Sequence, residues 1–176
     1  GDGASERDLV VHYVNVNGRI TQIVRGGKSG LGFEPDPAIF QVLKSNLANF
    51  GYLNVKINQK AVWNEETTMR FQTDGSVGGR LTDAETINQV IEVSTIRLRD
   101  YLNEHIDFLK IDIEGAEYDV IKDCAGHLRF VDHLFVEFHG KPDERQSLHD
   151  ILNIIQASGF RYHLKDAYPI NHPFVE

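Results

Sequence analysis

Lys110-Ile111-Asp112-Ile113-Glu114-Gly115-Ala116-Glu117 is the stretch that decides the fold. It closes a strongly apolar stretch, Ile106 to Ile113. Such a run reads as a strand covered on both sides. Gly115 lets the backbone turn sharply, and Ala116 to Cys124 then takes helical spacing. Covered strand, tight turn, helix: this is the repeating unit of an α/β sheet.

The same order appears on either side. Upstream, Leu31-Gly32-Phe33-Glu34 reads as a short buried strand ended by Pro35-Asp36-Pro37. Pro37 suits the first turn of a helix over Ala38 to Asn49, with Asp36 as N-cap and Gly51 closing it. Phe40, Leu43 and Leu47 share one side of that helix. Asn54 to Trp63 reads as the next strand, Thr67 to Thr73 as a half-exposed one, Asp74 to Arg80 as a glycine-rich loop, Val90 to Thr95 as a strand and Leu98 to Asn103 as a helical turn. Downstream, Leu134 to Phe138 is a buried strand. Asp143 to Ser158 is an amphipathic helix with Leu148, Ile151, Leu152 and Ile155 on one face, Gly159 caps it, and Phe160 to Leu164 makes a last strand. The alternation predicts an α/β fold, a doubly wound and mainly parallel sheet. The first residues differ: Val10 to Val16 and Arg19 to Val24 alternate about Asn17-Gly18, the pattern of a β-hairpin, and Gly26 to Gly30 reads as a flexible loop.

The chain has 176 residues, enough for one domain with a real core. A net charge of -8 argues against broad nucleic-acid binding. No apolar run approaches membrane-spanning length, and no signal-peptide pattern opens the chain. The lone cysteine, Cys124, has no internal disulfide partner, sits at the end of a helical run and reads as a buried, inert thiol; a reducing, cytoplasmic setting fits it.

In open parallel sheets, ligands bind beyond the carboxyl ends of the strands. Three acidic strand ends stand there: Glu34, the Asp112/Glu114 pair, and Glu137 with His139. Any one of them is as readily a helix cap or a surface group; their convergence is the argument for a site. Glu34 is placed to accept hydrogen bonds from a ribose diol. Asp112 and Glu114 flank Ile113, so on a strand they would share a face, able to bind a cation, take a substrate proton or hold a cofactor amine. Glu137-x-His139 suits a general base or a polar edge. For Lys110 and Glu117 a salt-bridged turn is the better reading, and Glu117 also suits the positive end of its helix. His127, His133, His149 and His163 show no ligand spacing. Asp112, Glu114 and His139 would suit magnesium or manganese better than zinc, but ordinary cofactor contacts explain the same residues, and no metal site is assigned.

Gly32-Phe33-Glu34-Pro35-Asp36-Pro37, Asn58 to Trp63, Asp74-Gly75-Ser76 with Gly78-Gly79-Arg80, Thr95 to Leu102, Lys110 to Glu117, and Val136-Glu137-Phe138-His139, in that order and spacing, resemble the FkbM family of methyltransferases. The resemblance implies a Rossmann-like, class I fold that uses S-adenosyl-L-methionine to methylate an oxygen of a sugar or other small natural product, with no nucleic-acid or membrane partner. Carried over by position, Glu34 and its neighbour Pro35 would hold the cofactor ribose and Ala61 would lie near the adenine. Asp112 and Glu114 would face the methionine end or the acceptor, and Glu137 and His139 the acceptor. The catalytic candidates are therefore Asp112, Glu114, Glu137 and His139, and the cofactor-binding candidates Glu34, Pro35, Ala61 and Asp112.

Residues 1–176 read as a single methyltransferase-like domain, with 31–176 the family-like core and 1–30 an atypical or truncated segment. Such enzymes open with a strand and a D-x-G-A-N-x-G turn; here Asp2-Gly3-Ala4-Ser5 is a poor echo at the wrong spacing. A sheet without that central strand calls for a different filler strand or for homo-oligomerisation. The alternative function is a degenerate, non-catalytic binding module lacking the glycine-rich cofactor turn.

Overall fold

The computed structural model describes residues 21–25, 29–73, 89–140 and 147–165. The predicted strand Val10 to Val16, its Asn17-Gly18 turn and the loop Asp74 to Arg80 lie outside them.

The chain builds a main sheet from β1 (Thr21–Arg25), β2 (Ser29–Phe33), β3 (Val55–Asn58), β7 (Ile106–Ile111) and β8 (Val131–Val136) in the order β3-β2-β1-β7-β8. A smaller sheet holds β4 (Ala61–Trp63), β5 (Thr68–Thr73) and β6 (Gln89–Arg97) in the order β4-β6-β5. The helices are α1 (Pro37–Asn49), α2 (Glu117–Cys124) and α3 (Leu148–Ala157).

β1 pairs antiparallel with β2 on one edge and with β7 on the other. Gln22 to Val24 therefore have both edges occupied, by β2 and by β7. Gly26 to Lys28 separate the two arms β1 and β2. So short a connection can join only antiparallel neighbours; a parallel crossover needs a dozen residues or more. The main sheet is thus mixed rather than uniformly parallel: β2 and β3 run parallel, as do β7 and β8, with the filler strand β1 reversed between the pairs.

The expected strand Asn54 to Trp63 divides into β3 and β4, which join different sheets. β8 starts earlier than Leu134 and ends at Val136, and a 3-10 segment, Ala125–Phe130, leads into it. Phe160 to Leu164 forms no strand; Phe160 packs against the core while Tyr162 and Leu164 are exposed. Alternation alone does not make a strand when no pairing edge receives it.

α1 begins as its sequence dictates. Pro37 occupies the first turn, and the Asp36 carboxylate accepts hydrogen bonds from Ala38 N–H at 2.8 Å and Ile39 N–H at 3.2 Å. Gly51 takes φ 72° and closes the helix, with Tyr52 N–H donating to Leu47 O at 2.9 Å. Its buried face is Ile39 and Leu43; Phe40 and Leu47 are only half-buried.

The core centres on β7, where Ile106, Leu109 and Ile111 are fully buried, with Val120, Ile121 and Cys124 of α2 and Ile151 of α3 packed into the same cluster. Burial pushes the Cys124 thiol up to about 12, helped by the neighbouring Asp123 charge, so it stays an inert thiol as expected. Arg97 on β6 grips Asp123 on α2 through two hydrogen bonds, 3.0 and 2.7 Å, and its pKa rises through that contact. No helix among the described residues is long and apolar enough to cross a membrane.

Leu109→Ala leaves a cavity under β7. It is expected to cost about 2–5 kcal/mol in urea unfolding. A loss well below that range would show that β7 does not carry the core.

Candidate functional site at the carboxyl edge of the sheet

Strand register, more than proximity in sequence, assembles the site. Gln22 of β1 lies opposite Gly32 on one side and Lys110 on the other, and Lys110 lies opposite Phe135 of β8. Two residues further along each of these three parallel strands come Glu34, Asp112 and Glu137, so all three carboxylates stand on one rung at one edge. Backbone ladders extend just far enough to hold them: Glu34 N–H donates to Asn58 O at 3.1 Å and Glu137 N–H to Ile111 O at 2.9 Å.

Glu34 is fully buried, and its Oε1 accepts from Asp36 N–H at 2.8 Å. A carboxylate this deep is costly unless polar partners compensate. Its neighbours Phe33 and Pro35 line an apolar cavity of about 130 Å³, along with Ala61, Trp63, Phe71 and Ile113. Glu114 reaches the same cavity from the acidic turn.

The turn itself departs from the expected geometry. β7 ends at Ile111, and Glu114 adopts φ 57° ahead of Gly115 at φ 105°. Asp112 and Glu114 are therefore not alternate residues of one extended strand. A positive φ at a non-glycine residue is strained, and such strain persists only where surroundings impose it. The side chain that imposes it is Glu117, whose Oε1 accepts from Gly115 N–H at 3.0 Å and Ile113 N–H at 3.3 Å. Glu117 is buried in the first turn of α2. To these backbone bonds it adds a 3.0 Å contact to His139 Nδ1, which is an ion pair whenever the ring is protonated. Lys110 does pair as expected, its Nζ meeting Asp112 Oδ2 at 2.9 Å.

His139 is where the separate elements meet. Its Nε2 lies 4.0 Å from Asp112 Oδ1, 3.8 Å from Glu114 Oε2 and 3.9 Å from Glu137 Oε1. Partial burial opposes its charged form, but the Glu117 hydrogen bond and the charges of Glu117, Glu114 and Asp112 outweigh this and raise its pKa above 6.5. The structure thus gathers Asp112, Glu114, Glu137 and His139 in one cluster, and Pro35, Ala61 and Glu114 around one cavity, with Glu114 common to both. Candidate ligand atoms of Asp112, Glu114 and His139 lie within 4.8 Å of one another, and the Glu117–His139 contact already holds the ring there. Glu117 was the residue whose role sequence reasoning missed; its one signal was a carboxylate two residues after a turn glycine. A second grouping, His105 with Asp107 and Asp132, sits at the far end of β7 and β8 as a surface ion pair.

An α/β sheet with ionisable groups ranked along one carboxyl edge, beside an apolar cavity, has the layout in which such sheets hold ligands. The methyltransferase FkbM domain matches residues 3–162, and the chain belongs to that family. The match takes in residues 3–30 as well as the stretch from Leu31 onward. A relative named Methyltransferase 1, from Beauveria bassiana (strain ARSEF 2860), is 24% identical over 156 residues, covering 74% of this chain and 61% of its own length. No solved structure matches the chain.

The raised His139 pKa has a signed consequence for stability. The unfolded value is near 6.5, so the contribution is fully present below it and is lost as pH rises through the higher folded value. Urea unfolding of wild type and His139→Gln is expected to show the wild-type advantage shrinking from about pH 6 to about pH 9. An advantage that grows over that range contradicts the assignment.

Proposed function

We propose that the chain is an S-adenosyl-L-methionine-dependent O-methyltransferase acting on a hydroxyl of a small acceptor, a sugar or other natural product. The observation that carries this reading is the common rung of Glu34, Asp112 and Glu137 beside an apolar cavity, in a chain of the FkbM family. Family membership favours an enzyme over the non-catalytic binding module.

The residues suit the cofactor chemically. Glu34 offers a carboxylate acceptor for a ribose diol, next to Pro35. Ala61, Trp63, Phe71 and Ile113 offer apolar and aromatic surface for a planar base. Asp112 and Glu114 offer negative charge to a cationic methionine end. The bound cofactor supplies an electrophilic methyl carbon on sulfur. Methyl transfer is an in-line displacement, so positioning supplies much of the rate. The protein's own task is to exclude water, align the acceptor oxygen and take its proton, a role that the chemistry of His139 and its flanking carboxylates suits. The Rossmann-like description belongs to this proposal: the reversed β1 fills the central slot and brings Thr21, the start of a strand, to the edge where a parallel strand would end.

Calorimetry with S-adenosylhomocysteine tests the reading. Wild type is expected to bind, and Glu34→Gln to bind about 10- to 100-fold more weakly, the worth of a charge-assisted hydrogen bond or two. Absence of binding to the intact wild-type protein would refute it.

A further inference from the structure

Glu117 makes more contacts than a turn brace needs. Its Oε1 takes the N–H groups of Ile113 and Gly115, its Oε2 lies 3.1 Å from Gly115 N and 3.5 Å from His139 N, and Oε1 also meets the His139 ring at Nδ1. Both Glu117 oxygens already accept backbone N–H groups, so the carboxylate is the acceptor in this contact too, and the hydrogen between the two side chains belongs to Nδ1. That leaves Nε2 with the lone pair in neutral His139. Nε2 faces Asp112, Glu114 and Glu137 at 3.8–4.0 Å, beyond hydrogen-bond reach, in the middle of the carboxylate cluster.

We propose that Glu117 is a positioning residue that locks His139 in its Nδ1–H tautomer, so that Nε2 is the base that receives the acceptor's hydroxyl proton. The proposal rests on the O-methyltransferase reading and extends it by choosing one base among several candidates. The step balances. The O–H bond breaks as its proton moves to Nε2, and the acceptor oxygen bonds the methyl carbon. The electron pair of the broken carbon–sulfur bond stays on sulfur, so one positive charge passes from sulfonium to imidazolium. The imidazolium is then surrounded by Glu117 from α2, Asp112 and Glu114 from the turn after β7, and Glu137 from the end of β8, with Asp112 also holding Lys110. That surrounding charge raises the affinity of His139 for the proton it must take. The pattern of carboxylate, imidazole and reacting proton is the one by which buried acids orient histidine bases elsewhere.

Imidazole nitrogen NMR on the full chain, at a pH above the His139 titration, reads the tautomer directly. The expected wild-type result is Nδ1–H with an unprotonated Nε2. In Glu117→Gln, which keeps the size and one acceptor for the turn, the tautomer is expected to become mixed and the His139 midpoint to fall. An Nε2–H tautomer in wild type overturns the proposal, even if the variant fails to fold. An unchanged tautomer and midpoint in a folded Glu117→Gln overturn it as well. S-adenosylhomocysteine calorimetry on the same samples separates the two claims. Loss of wild-type binding removes the methyltransferase reading while the tautomer result stands; retained binding with an Nε2–H ring removes the role of Glu117 alone.

Discussion

Everything at the functional edge depends on β1 filling the slot between β2 and β7. The main sheet has two parallel halves, β2 with β3 and β7 with β8, and among the described strands only β1 touches both. Strands in a sheet lie about 4.8 Å apart, so two spacings set the strand of Glu34 about 10 Å from the strand of Asp112. That separation suits a small molecule laid across the strand ends. The direction of β1 matters little for this spacing, because antiparallel pairing fills a slot as well as parallel pairing does. Its register matters greatly. A shift by one residue on the β2 edge alone would move Glu34 off the rung of Asp112 and turn the alternate side chains of β2 to the opposite face.

Much of this was legible in the sequence, for reasons that differ from element to element. The Asp36 cap, Pro37 and Gly51 bound α1 through local chemistry that needs no tertiary partner. The Ile106 to Ile111 run announces a core strand, and Ile106, Leu109 and Ile111 are buried; Asp107, Phe108 and Lys110 stay half-buried, so the expected cover on both faces is incomplete. The reversal of β1 was less accessible. Asn17-Gly18 and Gly26-Gly27 both offer turn chemistry, and only the pairing of Gln22 to Val24 with β2 and β7 shows which way β1 runs. Likewise Phe160 to Leu164 alternates as a strand should, yet pairing is a property of two segments and one segment cannot display it.

The candidate site divides in the same way. Strand-end carboxylates could be read as converging because parallel strands share a carboxyl edge, and Glu34, Asp112 and Glu137 do share a rung. The link between Glu117 and His139 spans 22 residues and two elements, α2 and the end of β8. Position in the first turn of a helix explains a glutamate there without any ligand or base, so its sequence context pointed to the macrodipole. Burial separates the two accounts. A carboxylate serving only the helix end stays near water, where it costs little; Glu117 is 1% exposed and has traded water for N–H donors.

The strain at Glu114 follows from that trade. Two N–H groups, of Ile113 and Gly115, point at the same Glu117 oxygen, and in an extended strand residues two apart face one side but lie about 7 Å apart, too far to share an acceptor. The positive φ at Glu114 accompanies the curl that brings both to one oxygen. Gly115 accepts its own positive φ freely, but Glu114 does not, and a glycine there would relieve the turn. A glycine would also remove the carboxylate that joins the cavity beside Pro35 to the cluster around His139. The turn therefore keeps a strained residue at the one position where a side chain touches both, and the hydrogen bonds to Glu117 are what hold that residue in place.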